Sequence, residues 1–120
     1  MKFITDIQEA NGILKQYRGA TAQICMFSLS LKRLALRLQL PDIIEVVFII
    51  GAGCEYISGN FEWDEANLSV ITEVMTFNEI KTKIFDKNAQ FLLVASGGFS
   101  VVVGASNEFG ESFENFLEAK

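Results

Sequence analysis

The sequence predicts an α+β domain in which a meander-like antiparallel sheet of about six to eight strands packs with an N-terminal and a C-terminal helix. The chain has 120 residues, of which 50% are hydrophobic and one is proline, so it can bury a core and is too apolar for a disordered chain. Helical spacing of apolar residues occurs only near the two ends. The links between the predicted strands are too short for helices, so a doubly wound α/β fold is excluded and one domain over residues 1–120 is expected.

The first predicted element is a helix that begins near Thr5. Thr5 and Gln8 have the spacing of a capping box, and Gly19 is a suitable C-terminal stop. Apolar residues recur at spacings of three and four and therefore share one face of the helix: Phe3, Ile7, Ala10, Leu14 and Tyr17. This face needs a tertiary partner.

Strands are predicted to follow the helix in series. Residues 21–29 are mostly apolar, residues 33–40 alternate leucine with Arg, Ala and Gln, and residues 43–50 are rich in Val and Ile. The alternation indicates one face toward the core and one toward water, and the Val/Ile run indicates a strand buried on both faces. The Gly-Ala-Gly at residues 51–53 predicts a bend or a bulge, after which a strand resumes at 55–57.

The second half of the chain predicts further strands and a closing helix. Residues 68–71 form a short predicted strand, and residues 80–85 form an edge strand whose lysines discourage aggregation. A Gly-Gly pair between the apolar runs 91–95 and 99–103 predicts a hairpin. An apolar stripe opposite glutamates predicts the C-terminal helix, and its members are Phe109, Phe113, Phe116 and Leu117.

Charge is distributed unevenly along the chain. The net charge is −5, and residues 41–80 hold eight acidic side chains and no basic one. Nucleic acid is an unexpected partner, because carboxylates repel phosphates. The acidic third has two interpretations: it marks a partner surface, or acidic and basic strands neighbour one another and pair across the sheet.

Several kinds of chemistry are missing from the composition. The chain has no histidine, so neither a Ser-His-Asp nor a Cys-His pair can be built from it. Its two cysteines, Cys25 and Cys54, form no CxxC motif, and we predict reduced thiols, no metal and no cofactor. The glycine at 53 is followed three positions later by Tyr56 where a dinucleotide-binding fingerprint needs glycine.

No membrane segment and no export signal are expected. The longest nonpolar run, residues 46–54, is far shorter than the roughly 20 residues that span a bilayer. Asp6 and Glu9 interrupt the stretch where a signal peptide would be apolar. We therefore predict a cytoplasmic protein without a membrane partner.

The first functional hypothesis is a non-enzymatic protein-interaction module that binds a protein partner or self-associates, as a homodimer. Its basis is the acidic middle third and the missing catalytic machinery. Aromatic side chains are frequent interface anchors, and here they interleave with acids. The predicted surface consists of Glu55, Tyr56, Phe61, Glu62, Trp63, Asp64 and Glu65.

The second hypothesis is a small-molecule-binding domain or a histidine-free enzyme. Its site would be a pocket between the sheet and the helices, since such pockets are apolar with a few polar groups. The polar candidates are Arg33, Arg37, Glu55 and Tyr56.

Overall fold

The computed structural model describes residues 2–105, which form two antiparallel sheets and one α-helix. The strands are β1 (Lys2–Ile4), β2 (Ala20–Ser28), β3 (Arg33–Gln39), β4 (Glu45–Gly51), β5 (Cys54–Ser58), β6 (Glu62–Ala66), β7 (Ser69–Val74), β8 (Ile80–Asp86), β9 (Phe91–Ala95) and β10 (Phe99–Ala105). The helix α1 spans Ile7–Gln16, and a short 3-10 turn spans Thr76–Asn78. The predicted α+β fold, with a single sheet packed by two helices, is therefore wrong.

The predicted C-terminal helix falls in residues 106–120, which lie outside the described residues. One domain over residues 1–120 accordingly stays a prediction. Within residues 2–105, no helix has the length and apolar character needed to cross a membrane.

The two sheets differ in size and depart from a simple meander. The first sheet has six strands in the order β1-β10-β4-β3-β2-β6, and the second has four in the order β5-β9-β8-β7. Every pairing is antiparallel. β10 lies between β1 and β4, so the first sheet brings together the two ends of the described chain.

One bent two-stranded ribbon belongs to both sheets. β4 pairs with β10 in the first sheet, and their continuations β5 and β9 pair in the second. Backbone hydrogen bonds continue through the bend: Ala52 N–H donates to the Gly98 carbonyl at 3.0 Å, and Gly97 N–H donates to the Ala52 carbonyl at 2.8 Å. The bend predicted at residues 51–53 is present. The hairpin predicted across the Gly-Gly pair is wrong, because β9 and β10 lie in different sheets.

Close backbone approach explains the glycines of this bend. A Cβ atom on Gly97 would lie 3.0 Å from the carbonyl oxygen of Ala52, and one on Gly51 would lie 3.2 Å from a methyl group of Leu93. A backbone oxygen in a hydrogen-bonded ribbon cannot move aside as readily as a methyl group. Gly97 is therefore the more restrictive of the two positions.

The core lies between the sheets and includes one face of α1. Leu34, Leu36 and Leu38 of β3 are buried in it, which confirms the core face predicted from the alternation. The prediction that the opposite face meets water is wrong at Ala35, which is fully buried. β4 is buried on both faces, as its Val/Ile run predicts. A second apolar cluster covers the other face of the first sheet and comprises Ala35, Val46, Phe48, Ile50 and Val102.

The helix α1 forms where the sequence predicts it, with a different cap. The Asp6 carboxylate, and not the Thr5 hydroxyl, accepts the N–H of Glu9 at 2.8 Å. Ala10 and Leu14 are buried in the core, and the helix packs against β7. The Asn11 carboxamide makes two hydrogen bonds with the backbone of Val70 in that strand.

β8 is an interior strand and not the predicted edge. It lies between β9 and β7 in the second sheet. Its lysines are accommodated because they form ion pairs: Lys81 with Glu55 at 2.7 Å and Lys83 with Glu73 at 3.1 Å. Ion pairs between acidic and basic side chains within one sheet thus account for part of the uneven charge distribution along the chain.

The buried carboxylate of Asp86 connects several elements. Asp86 is fully buried at the end of β8. One of its oxygens accepts the indole N–H of Trp63 at 2.9 Å and the backbone N–H of Asn67 at 2.8 Å. The other accepts the backbone N–H groups of Asn88 and Ala89 at 3.1 and 3.2 Å. Four N–H donors thereby compensate the lost hydration of the carboxylate.

Replacing Asp86 by Ala should lower the free energy of unfolding by about 3–5 kcal/mol, because it removes the acceptor of the buried Trp63 indole N–H and of three partly buried backbone N–H groups. Urea unfolding followed by tryptophan fluorescence measures the change. The control is Asp42→Ala at an exposed loop position, for which we expect a change within about 0.5 kcal/mol. Equal stabilities of the two variants would contradict the role given to Asp86.

Gly97→Ala should destabilise the protein by about 1–3 kcal/mol, since the new methyl group meets the backbone of the bend. The matched control is Gly12→Ala, because a Cβ on that exposed helical glycine has no atom within 4 Å. Gly12→Ala should stabilise the protein by about 0.5–1 kcal/mol. Thermal unfolding of both variants checks the opposite signs, and a neutral Gly97→Ala would be the contrary result.

Candidate functional site

The structure removes Trp63 from the predicted acidic-aromatic surface. Its side chain is 9% exposed, and its ring centroid lies 4.7 Å from that of Phe91. Its indole N–H is used by the buried Asp86 carboxylate. Trp63 is therefore a core residue. The sequence contains no sign of this, because Asp86 is 23 positions away in the chain.

The other residues of that surface divide between two sheets. Glu55 and Tyr56 lie on β5 of the second sheet, whereas Glu62, Asp64 and Glu65 lie on β6, at an edge of the first. All five are exposed. The side chain of the residue just before β6, a phenylalanine at position 61, is 77% exposed. The residues thus do not form one continuous strand surface around the tryptophan.

Acidic side chains protect the β6 edge. Asp64 accepts a hydrogen bond from the Thr21 hydroxyl of the neighbouring strand at 2.9 Å. An edge strand with three exposed carboxylates is a poor template for pairing with another chain. This arrangement gives the acidic segment a structural use.

The residues of the small-molecule hypothesis are also divided. Arg33 and Arg37 lie on β3 of the first sheet, and Arg37 lines a cleft of about 290 Å³ on its outer face. Tyr56 lines a different groove, of about 470 Å³, on the second sheet. A third groove, of about 360 Å³, lies between α1 and the first sheet beside Tyr17 and Glu45. These grooves open at the surface, and the small-molecule hypothesis stays a prediction.

The thiols are poorly suited to nucleophilic chemistry. Cys25 is an exposed residue, but partial burial of its thiol raises the pKa from 9.0 to about 11, and its Sγ lies 3.4 Å from the carbonyl oxygen of Ala35. Burial also raises the pKa of Cys54. Both side chains are consequently protonated near neutral pH. Among residues 2–105, no three Cys, Asp or Glu side chains are grouped closely enough to hold a metal ion.

The most distinctive surface is a group of exposed apolar side chains on two turns and on the strand ends beside them. Phe77 is 97% exposed, Leu29 79% and Val74 71%, which is unusual for large apolar residues of a folded chain. We call the whole group the apolar end. It consists of Phe27, Leu29 and Leu31 around the β2–β3 turn and Val74, Met75, Phe77 and Ile80 around the β7–β8 turn.

Two contacts link these two turns through the start of β5. The Lys32 carbonyl, in the β2–β3 turn, accepts the N–H of Cys54 at 2.8 Å. The next residue, Glu55, pairs with Lys81, which directly follows Ile80, the first residue of β8 after the β7–β8 turn. Glu55 therefore links the first turn to the second. The ion pair lowers the pKa of Glu55, chiefly through the hydrogen bond from Lys81, and raises the pKa of Lys81.

The β7–β8 turn holds Phe77 in an unfavourable conformation. Phe77 and Asn78 both have positive φ, 65° and 62°. Asparagine tolerates this region, but a phenylalanine there costs roughly 1–2 kcal/mol. The Met75 N–H closes the turn by donating to the Glu79 carbonyl at 2.6 Å. A strained and almost fully exposed aromatic residue is a candidate contact residue.

The apolar end is absent from the sequence-based predictions, although a signal for it is present. Turns are usually polar, whereas these two turns carry leucine, methionine and phenylalanine among serine, threonine and asparagine. Comparison of the chain with protein-family models, with curated proteins and with solved structures found no match. A function for this protein can therefore be inferred only from the geometry and chemistry of its own residues.

Replacing Lys81 by Gln should raise the pKa of Glu55 toward its ordinary value of 4.5, because the main cause of the lowered pKa is removed. A side-chain carboxyl NMR titration measures it. In the wild type, the lowered pKa of Glu55 stabilises the fold above pH 4.5, and this stabilisation is lost as the pH falls through the folded-state pKa. The variant lacks this contribution, so the same acidification should reduce its free energy of unfolding by less. Lys83→Gln, which breaks the pair with Glu73, is the control and should leave the Glu55 titration unchanged.

Proposed function

We propose that the protein is a non-enzymatic protein-interaction module that binds its partner through the apolar end. The observation that carries the proposal is the group of seven exposed apolar side chains on and beside two turns that are linked through Cys54 and Glu55. Several large apolar side chains exposed to water without a partner are unfavourable, and such groups are typical of interaction sites. The proposal replaces the acidic-aromatic surface around Trp63, whose central residue is buried.

Two further features support binding over catalysis. The chain has no histidine, and both cysteine thiols have raised pKa values. The exposed end also has anchors of the type that dominates binding energies, since a large aromatic side chain buries much area with few rotamers. We place the protein in the cytoplasm, because free cysteines suit a reducing compartment.

Leu29→Ser combined with Phe77→Ser should weaken partner binding or self-association by at least about tenfold, because the two substitutions remove the most exposed apolar side chain of each turn. Quantitative capture from a lysate and sedimentation velocity of the purified protein measure the two forms of association. Both substitutions are at exposed positions, so the melting temperature should change little.

The matched control is Ile44→Ser combined with Phe61→Ser, which removes two comparably exposed apolar side chains, 81% and 77% accessible, outside the apolar end. We expect this variant to associate like the wild type. Equal association of the Leu29/Phe77 variant and the control would overturn the proposal. A wild-type protein that captures no partner and stays monomeric would overturn it as well.

A further inference from the structure

We propose that the edge of β7, beside the apolar end, binds an extended segment of a partner protein as an added β-strand. This inference rests on the proposed function and deepens it by specifying the conformation of the partner. The bound segment would carry a basic side chain opposite Glu73 and apolar side chains toward Val74 and Phe77.

One side of β7 is a free sheet edge. β7 is the last strand of the second sheet, and among the described strands it pairs with β8 alone. The backbone of Val70 faces away from β8, since it bonds to Asn11. In an antiparallel strand every second residue faces the same side, so the N–H and C=O groups of Thr72 and Val74 also face outward. Within residues 2–105 these groups have no hydrogen-bond partner, and both residues are exposed.

Asn11 already imitates an added strand at this edge. Its carboxamide nitrogen donates to the Val70 carbonyl at 2.8 Å, and its oxygen accepts the Val70 N–H at 2.9 Å. A side-chain amide thus takes the place that a peptide group of a neighbouring strand would occupy. The protein satisfies the edge at one position and leaves the next two outward-facing positions open.

Regular pairing distinguishes β7 from the other edge strands of the described chain. β1 has three residues, β6 carries three exposed acids with a shift in register, and β5 has an irregularity after Cys54. β7 pairs with β8 over six residues without a shift. A regular edge accepts an extended peptide more readily than a bulged or charged one.

Charge favours a different protein over a second copy of the chain as the occupant of the edge. If a second copy paired through the same edge, with Thr72 opposite Val74, the two Glu73 side chains would face each other directly. Each Glu73 is paired with Lys83 of its own chain at 3.1 Å, which offsets part of the repulsion between these like charges, but the two chains would also each bring a net charge of −5 to the contact. A partner segment with lysine or arginine opposite Glu73 meets neither obstacle. We therefore assign the edge to a different protein.

The test uses a phage-displayed library of random twelve-residue peptides as the probe, selected on the full-length wild-type protein. Affinities of the selected peptides are then measured for two variants. Thr72→Pro removes the outward-facing N–H, a change that an edge strand tolerates. Thr72→Val keeps the N–H and is the matched control. We expect Thr72→Pro to weaken binding about tenfold or more and Thr72→Val to leave it within about threefold.

A second measurement does not depend on how well the proline variant folds. Amide hydrogen exchange of the wild type should slow at Thr72 and Val74 when a selected peptide is bound, because both N–H groups become paired. Unchanged exchange at both residues would overturn the inference.

The remaining outcomes separate the edge site from the proposed function. Peptides whose binding is lost in Phe77→Ser but unaffected by Thr72→Pro would overturn the edge site and leave the interaction function standing. Self-association that disappears in Thr72→Pro would identify a second copy as the occupant and overturn the assignment to a different protein. A library that yields no peptide sensitive to Thr72→Pro would also overturn it.

Discussion

The buried carboxylate of Asp86 is the interaction on which the join between the two sheets depends. It ties the end of β8 to Trp63 of β6 and to the backbone of Asn67, where the chain passes from the first sheet to the second. A buried polar side chain is costly unless it is hydrogen-bonded, and four N–H donors fill this need for Asp86. This requirement keeps Trp63 inside the core and the β6–β7 crossing in one position.

The parts of the fold that could be predicted are those that depend on local patterns. The alternation of residues 33–40 identifies the buried face of β3, and the spacing of apolar residues identifies α1. Sheet membership depends on contacts between distant residues. The pattern at residues 91–103 is compatible with a hairpin, and only the pairing of β9 with β5 and of β10 with β4 decides against it. The α+β prediction is wrong because the strands of residues 2–105 divide into two sheets, and this division depends on contacts that local patterns do not contain.

The same distinction applies to the candidate site. Exposed acids on β6 could be expected from the composition of the segment, whereas the burial of Trp63 depends on a hydrogen bond to a residue far along the chain. The apolar end is the opposite case, because leucine and phenylalanine in a strand-rich sequence would be expected in the core, whereas here they are exposed. Their exposure results from their place in the turns, where no described strand covers them.

The bent ribbon also determines the order in which the chain can fold. β4 and β5 pair with β10 and β9, which lie beyond the whole of residues 59–90. Neither sheet can be completed until this long loop closes, and closing it costs entropy before any pairing compensates. During synthesis, the central strand of the first sheet therefore waits for almost the entire described chain to emerge before it gains its second neighbour. During that interval one side of the protein's most apolar strand is unpaired, and we expect slow folding because the pairings that complete both sheets are non-local.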